Sequence, residues 1–210
     1  MSLIEAHMIY ALAWCSFGFG HSLLASERAK DLIVPSLGPY YRLAYNALAS
    51  VHIFAVWLLG FWLFEGTPTF ALSTTVQGGL YGISVLGFAI LVLALREYDL
   101  GLLAGTAQIR NHRLGLGEPE TEPLHTAGFH AYVRHPIYSG AYLIFWGNCQ
   151  DQLGLATAIW GSIYLTIGAM HEERYLWRLY GDAYQNYRAK VPAFIPWRGK
   201  SLRPSGPSAK

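Results

Sequence analysis

The chain has 210 residues, of which 53% are hydrophobic and 13% charged, and its formal net charge is +2. Soluble domains carry about 25% charged residues, so this composition excludes an ordinary soluble domain and makes lipid the expected solvent. The pI near 8.5 is explained by membrane topology and by contact with anionic headgroups. Since the sequence also contains no nucleic-acid-binding motif, the expected partners are membrane lipids and small molecules, and not nucleic acid.

Three apolar segments are long enough to cross a bilayer, which takes about 20 residues. They run from Leu3 to Ala25, from Leu43 to Phe64 and from Val76 to Leu95. A fourth segment, Ile137 to Trp146, is half that length, and a polar turn separates it from a fifth, Leu153 to Met170. We predict that these two form a helical hairpin. Its first helix must start earlier, near Gly128, or cross only part of the bilayer.

The residues after the fifth segment predict a helix at the membrane surface. Leu176, Tyr180 and Tyr184 recur at i, i+4 spacing with charged residues around them, so 172–188 has the pattern of an amphipathic helix. The predicted fold is therefore all-α: a polytopic membrane protein of about five transmembrane helices, the last two a hairpin, plus a C-terminal amphipathic helix. Residues 198–210 are rich in Pro, Ser and Gly and are expected to be a disordered tail.

The basic residues predict the orientation of the chain. All 15 Lys and Arg residues fall after the first helix, after the third helix, or beyond Met170. With five crossings these three regions share one face, which the positive-inside rule assigns to the cytoplasm. Four or six crossings would divide the charge between both faces. We therefore expect an integral protein of a bacterial inner membrane with its N-terminus outside and its C-terminus in the cytoplasm.

Two polar motifs meet at the predicted cytoplasmic ends of the hairpin. Arg134 and His135 precede Pro136, which suits the first turn of a helix, and a helix N-terminus favours an anion. Glu172 and Glu173 follow the fifth segment and return to the same level. The sequence thus places two carboxylates opposite an Arg–His pair. From the Arg–His pair alone, an interfacial anchor facing lipid headgroups is the favoured interpretation, and the linked Glu-Glu-Arg motif reverses that preference.

These linked motifs carry a family resemblance. The segments 134–140 (RHPIYSG), 172–176 (EERYL), 180–187 (YGDAYQNY) and 191–196 (VPAFIP) resemble the isoprenylcysteine carboxyl methyltransferase superfamily, which includes phospholipid and methanethiol S-methyltransferases. In the N-terminal half, 21–26 (HSLLAS) and 99–101 (DLG) are more similar to methanethiol S-methyltransferases and denitrification-associated membrane proteins. The resemblance implies an S-adenosylmethionine-dependent methyltransferase.

The resemblance also implies where the cofactor binds. S-adenosyl-L-methionine is expected between the hairpin and the C-terminal helix, and its carboxylate, ammonium, ribose and sulfonium suit cationic, acidic and aromatic side chains. The predicted cofactor-binding residues are His135, Tyr138, Tyr132, Gly140, Glu172, Glu173 and Arg174. We divide the chain into a substrate-side scaffold of three helices (1–95), a cytoplasmic loop leading into the site (96–136) and a cofactor module (137–197).

The methyl acceptor is predicted less closely than the donor. A small or lipophilic thiol is the first choice, and methyl transfer to a thiol requires a group that favours the thiolate. The predicted catalytic residues are Arg134 and His21, and His135 is a further candidate for that role. His52 and Asp99 are additional candidates for contact with the acceptor. An isoprenylcysteine carboxylate or a phospholipid amine is the alternative acceptor.

A different class of function also fits parts of the sequence. A haem-binding or regulatory membrane protein of a redox system would depend on His21 or His52. No tight spacing of metal ligands such as His-x-x-x-His occurs, so no metal site is predicted. Cys15 and Cys149 lie at different levels of the predicted fold and do not suggest a disulfide. The oligomeric state is left open.

Overall fold

The computed structural model describes residues 1–120 and 122–198, and these residues form helices and turns without a strand. The helices are α1 (Leu3–Ala25), α2 (Glu27–Leu37), α3 (Tyr41–Leu63), α4 (Thr74–Leu95), α5 (Leu100–Ala104), α6 (Thr106–Leu114), α7 (Pro136–Gly147), α8 (Gln152–Tyr180) and α9 (Asp182–Lys190). Short 3-10 turns occur at Gly38–Tyr40 and Gly128–Ala131. The predicted all-α class is confirmed. The predicted disordered tail, apart from Arg198, lies outside the described residues.

Four segments of the described chain are long and apolar enough to span a membrane. They are Leu3–Ala25, Glu27–Leu63, Thr74–Leu95 and Gln152–Tyr180. The remaining predicted helix, α7, has 12 residues and so rises only about 18 Å, against a hydrocarbon thickness of about 30 Å. Of the two alternatives for this helix, the structure shows the partial crossing. The chain is an integral membrane protein.

Side-chain oxygens at the helix starts explain where several helices begin. Ser26 ends α1 and caps α2 by accepting a hydrogen bond from the backbone N–H of Ala29. Ser73 caps α4 in the same way, and Asp151 caps α8 through the N–H of Gly154 at 2.7 Å. Each cap pairs a backbone donor of the first helical turn, which has no partner within the helix.

Glycines fix α7 against α4. A Cβ atom at Gly140 would lie 2.7 Å from the carbonyl oxygen of Gly87, and one at Gly147 would lie 2.5 Å from the backbone nitrogen of Ser84. Only residues without a side chain let the two backbones approach this closely. The short helix α7 is thereby held in one position, and its first turn, which carries the Arg–His motif, is held with it.

Contacts between helices show which helix ends lie together in the described chain. α1 and α8 run in the same direction, because His7 bonds Gln152 at 3.1 Å and Tyr10 bonds Thr157 at 2.9 Å. The loop between α3 and α4 lies at the end of the protein where α1 and α8 begin, since the N–H of Phe70 donates to the carbonyl of Gln150 at 2.9 Å. The parallel course of α1 and α8 agrees with the alternating directions of the five predicted segments.

The predicted amphipathic helix 172–188 is divided in the structure. α8 continues without a break to Tyr180, and α9 begins at Asp182. Gly181 between them has φ +54°, a conformation that favours glycine and ends α8. The break turns α9 back across the protein, where Tyr184 and Tyr187 are buried against Val191. The aromatic stripe therefore belongs to two helices.

Candidate active site

The chain before α7 is tied to the segment that follows α9. The N–H of Arg134 donates to the carbonyl of Pro192 at 2.9 Å, and that of His135 donates to the carbonyl of Ala193 at 3.1 Å. The Ser139 hydroxyl donates to the carbonyl of Phe194 at 2.8 Å. These bonds place the Arg–His motif between α7, α8 and the C-terminal segment.

Glu173 is the centre of a charged cluster. Its Oε1 accepts hydrogen bonds from Nε of Arg134 at 2.8 Å, from Nη2 of the same residue, and from Nε2 of His135 at 3.1 Å. Its Oε2 lies 3.2 Å from Nε of Arg188. The Glu173 side chain is only 12% exposed. A carboxylate so far removed from water is stabilised by this complete set of charged donors.

His135 is held between two carboxylates and two aromatic rings. Its Nδ1 lies 3.5 Å from Oε2 of Glu172, and its side chain is 3% exposed. The Tyr138 ring stacks on it at a centroid distance of 5.4 Å, and Phe194 packs beside it at 5.5 Å. Burial lowers the pKa of His135, but the hydrogen bonds and charges of Glu172 and Glu173 outweigh burial and raise the pKa above its ordinary value. The imidazolium form is therefore favoured.

Two charged side chains at the edge of the cluster face outward. Glu172 is 40% exposed and Arg188 is 58% exposed. Both are thus accessible to a ligand that carries an ammonium and a carboxylate, whereas Glu173 is already engaged by protein donors. The cluster can hold a zwitterionic group while keeping its own internal charges paired.

The other predicted residues face outward or contact other parts of the protein. Gly140 faces α4, and Tyr132 and Arg174 are exposed. His21 lies in α1 and contacts Tyr45 of α3, with Nε2 2.7 Å from the hydroxyl oxygen. Five predicted residues therefore meet in one place: Arg134, His135, Tyr138, Glu172 and Glu173.

Asp99 and His52 also lie in other surroundings. Asp99 caps α5, since its Oδ1 accepts hydrogen bonds from the backbone N–H groups of Gly101 and Leu102 at 2.7 and 3.0 Å. His52 lies on α3, where its Nε2 is 3.4 Å from the hydroxyl oxygen of Ser16. The bonds of Asp99 stabilise a helix start and account for its position without a ligand.

Sequence reasoning missed Arg188 and a second polar network. Glu97 accepts from the N–H of Phe129 at 2.9 Å and lies 2.9 Å from Nδ1 of His130, whose Nε2 is 2.9 Å from the Tyr98 hydroxyl. Burial lowers the pKa of His130, against the opposing effect of Glu97. Glu97 and His130 lie far apart in the chain, so helical periodicity could not pair them. The local feature of this turn is Gly128, which is left-handed and where a Cβ would clash with Glu97.

Comparison with known proteins decides the family. Methanethiol S-methyltransferase 1 of Bradyrhizobium diazoefficiens is 31% identical over 203 residues, which cover 94% of this chain and 69% of the relative. The chain belongs to the methanethiol S-methyltransferase family. It is a membrane methyltransferase, as the resemblance of its motifs predicts.

Other relatives extend the same picture. The methanethiol S-methyltransferase of Crocosphaera subtropica is 29% identical over 211 residues, covering 95% of this chain and 78% of the relative. The protein-S-isoprenylcysteine O-methyltransferase of Schizosaccharomyces pombe is 32% identical over 123 residues, covering 56% of this methyltransferase and 50% of the relative. No protein-family model and no solved structure matches the chain. The predicted link to the isoprenylcysteine methyltransferases is confirmed by the last relative.

Proposed function

We propose that the enzyme transfers a methyl group from S-adenosyl-L-methionine to a small or lipophilic thiol. The observation that carries this proposal is the Glu173 cluster, a set of paired charges with accessible acidic and cationic edges in a member of this family. A methyltransferase needs a methyl donor, and the amino-acid part of this donor has the charges that the cluster can accept. Bound there, S-adenosylmethionine would supply a methyl group activated by the adjacent sulfonium.

The residues of the cluster divide the binding of the donor among them. Arg188 is placed to pair with the donor carboxylate, and Glu172 with its ammonium. The Tyr138 ring, stacked on His135, offers an aromatic face that tolerates a sulfonium cation. Glu173 holds Arg134 and His135 in position. These assignments keep the predicted cofactor role for His135, Tyr138, Glu172 and Glu173.

The acceptor proposal follows the names of the relatives. Relatives that match about nine-tenths of the chain are methanethiol S-methyltransferases, whereas the isoprenylcysteine enzyme matches 56% of it. The part that the isoprenylcysteine relative does not cover is available to determine the acceptor. We therefore favour a thiol, and an isoprenylcysteine carboxylate is the second candidate, supported by that shorter match.

We also propose that the site faces the cytoplasm of a bacterial inner membrane. The basic residues of the described chain lie at the end that holds the Glu173 cluster, and the opposite end carries the start of α1 and the α7–α8 turn. The positive-inside rule assigns the basic end to the cytoplasm. S-adenosylmethionine would then reach the site from the water phase on that side.

Direct assay of the detergent-purified protein tests this proposal. With methyl-labelled S-adenosylmethionine we expect label in the thioether when ethanethiol is offered, and less label in a farnesylated cysteine derivative. Glu173→Gln should lose calorimetric binding of S-adenosylhomocysteine, while the matched control Glu27→Gln, at an exposed pair with Lys30, should keep it. Folded wild type that binds no S-adenosylhomocysteine would refute S-adenosylmethionine as the methyl donor. Methyl transfer to the farnesylated derivative alone would refute a thiol as the methyl acceptor.

A further inference from the structure

One face of α8 leads from the Glu173 cluster into the membrane-spanning part of the protein. Tyr164, Gly168 and Glu172 are spaced four residues apart and lie on this face. Glu172 meets His135, a Cβ at Gly168 would lie 3.9 Å from the Tyr138 hydroxyl, and Tyr164 meets His21. From Glu172 to Tyr164 the helix rises about 12 Å. A donor anchored at the cluster can therefore extend along Tyr138 toward His21.

His21 is held there by its neighbours on three helices. Its Nε2 lies 2.7 Å from the Tyr45 hydroxyl, and its ring lies 5.1 Å from the Tyr45 ring. The Tyr164 ring of α8 is 6.0 Å away and the Phe17 ring of α1 is 5.6 Å away. His21 is half-buried, so the imidazole is both oriented and accessible. Ionisable side chains inside spanning helices generally mark a function.

A buried donor on α1 shares the neighbours Phe17 and Tyr164 with His21 and points to a ligand between these helices. Trp14 is 6% exposed, and its indole N–H has no hydrogen-bond partner in the part of the chain that the structure describes. Its ring packs against Phe17 and Tyr164, each at a centroid distance of 6.2 Å. A buried N–H without an acceptor destabilises the folded protein. A sulfur lone pair would relieve that cost, and aromatic rings make favourable contacts with sulfur.

Building on the proposed function, we propose that the acceptor thiol binds between α1, α3 and α8 and that His21 takes its proton. Tyr45 holds the imidazole, and Trp14, Phe17 and Tyr164 surround the thiol. The thiol sulfur bonds to the methyl carbon as the bond from that carbon to the donor sulfur breaks. The electron pair of the broken bond leaves with the donor sulfur, which becomes a neutral thioether. The thiol proton passes to His21 and then to water.

Among the groups that surround this position, histidine is the one that can accept a proton near neutral pH. The titratable and charged side chains there are Tyr41, Arg42, Tyr45 and His52 of α3 and Tyr164 of α8. Tyrosine hydroxyls and arginine do not take up a proton near neutral pH, which leaves the two imidazoles. Of these, His21 contacts Tyr164 on the face that leads to the donor site, whereas His52 contacts Phe17 and Ser16.

Comparison of two thiols separates a base from a structural residue. Ethanethiol needs a base at neutral pH, whereas thiophenol ionises at lower pH and supplies its own thiolate. We expect His21→Gln to lower turnover of ethanethiol by about 100-fold or more, and to leave turnover of thiophenol within about threefold of wild type. Raising the pH should reduce the deficit with ethanethiol. Calorimetric binding of S-adenosylhomocysteine should be unchanged.

Two further variants complete the test. His7→Gln changes a histidine at the opposite end of α1, bonded to Gln152, and should leave both rates unchanged. Tyr45→Phe keeps the packing but removes the hydroxyl that holds His21. We expect it to lower turnover of ethanethiol by about tenfold, with thiophenol unaffected. This variant decides the question if His21→Gln does not fold.

Several results would overturn the role of His21. An equal loss with both thiols would show that His21 only maintains the structure. Loss of S-adenosylhomocysteine binding in His21→Gln would assign the residue to the donor site. Unchanged rates would remove it from the reaction. Wild type that binds S-adenosylhomocysteine but methylates neither thiol would instead refute the proposed function, and this inference with it.

Discussion

Removal of the Glu173 charge is the sharpest perturbation that the structure offers. Glu173→Gln keeps the size of the side chain but leaves Arg134 and the His135 imidazolium without their shared carboxylate. Because these side chains are nearly buried, the broken pair should cost about 3 kcal/mol or more of unfolding free energy. For a chain of this size, that corresponds to a fall in Tm of about 6–12 °C.

Thermal unfolding of the purified protein in detergent, followed by tryptophan fluorescence, measures this change. The control Glu27→Gln breaks the exposed pair with Lys30, which should cost no more than about 1 kcal/mol. High salt should weaken the exposed pair more than the buried one. If Glu173→Gln unfolds at the wild-type temperature, the charges of the cluster do not stabilise the protein and the reasoning is wrong.

Three other predictions follow from the geometry. Gly140→Leu should abolish folding or assembly in the membrane because its side chain would enter the backbone of α4, whereas Gly82→Leu, at an open position of α4, should be tolerated. Expression and gel-filtration profiles compare the two. Cys149, in the α7–α8 turn, should react with a membrane-impermeant maleimide added outside intact cells; reaction only after lysis would reverse the proposed orientation. Because the folded pKa of His135 is raised, its contribution to stability is complete below the unfolded pKa of about 6.5 and is lost as the pH rises through the folded value. Wild type should therefore lose more Tm than His135→Gln between pH 6 and alkaline pH, and parallel pH profiles would contradict this.

The sequence was sufficient to predict the class of fold and the meeting of the two motifs that form the Glu173 cluster. The length of an apolar segment is a local property of the chain, so the spanning segments could be found without knowledge of any tertiary contact. The position of every Lys and Arg relative to these segments indicated an odd number of passes. Arg134–His135 and Glu172–Glu173 could be matched because the two helices of a hairpin also lie side by side at the ends away from the turn.

The rotation of each helix and the course of the chain after α8 were decided only by the tertiary structure. Gly140 belongs to a motif next to the site, yet packing turns it toward Gly87. Arg188 has the pattern of a solvated cation, and it reaches Glu173 only because Gly181 ends α8 and turns α9 back. The contact of His21 with Tyr45 and Tyr164 likewise joins three helices. Such contacts depend on interhelical packing over long chain separations, and the one-dimensional spacing of residues carries no direct record of that packing.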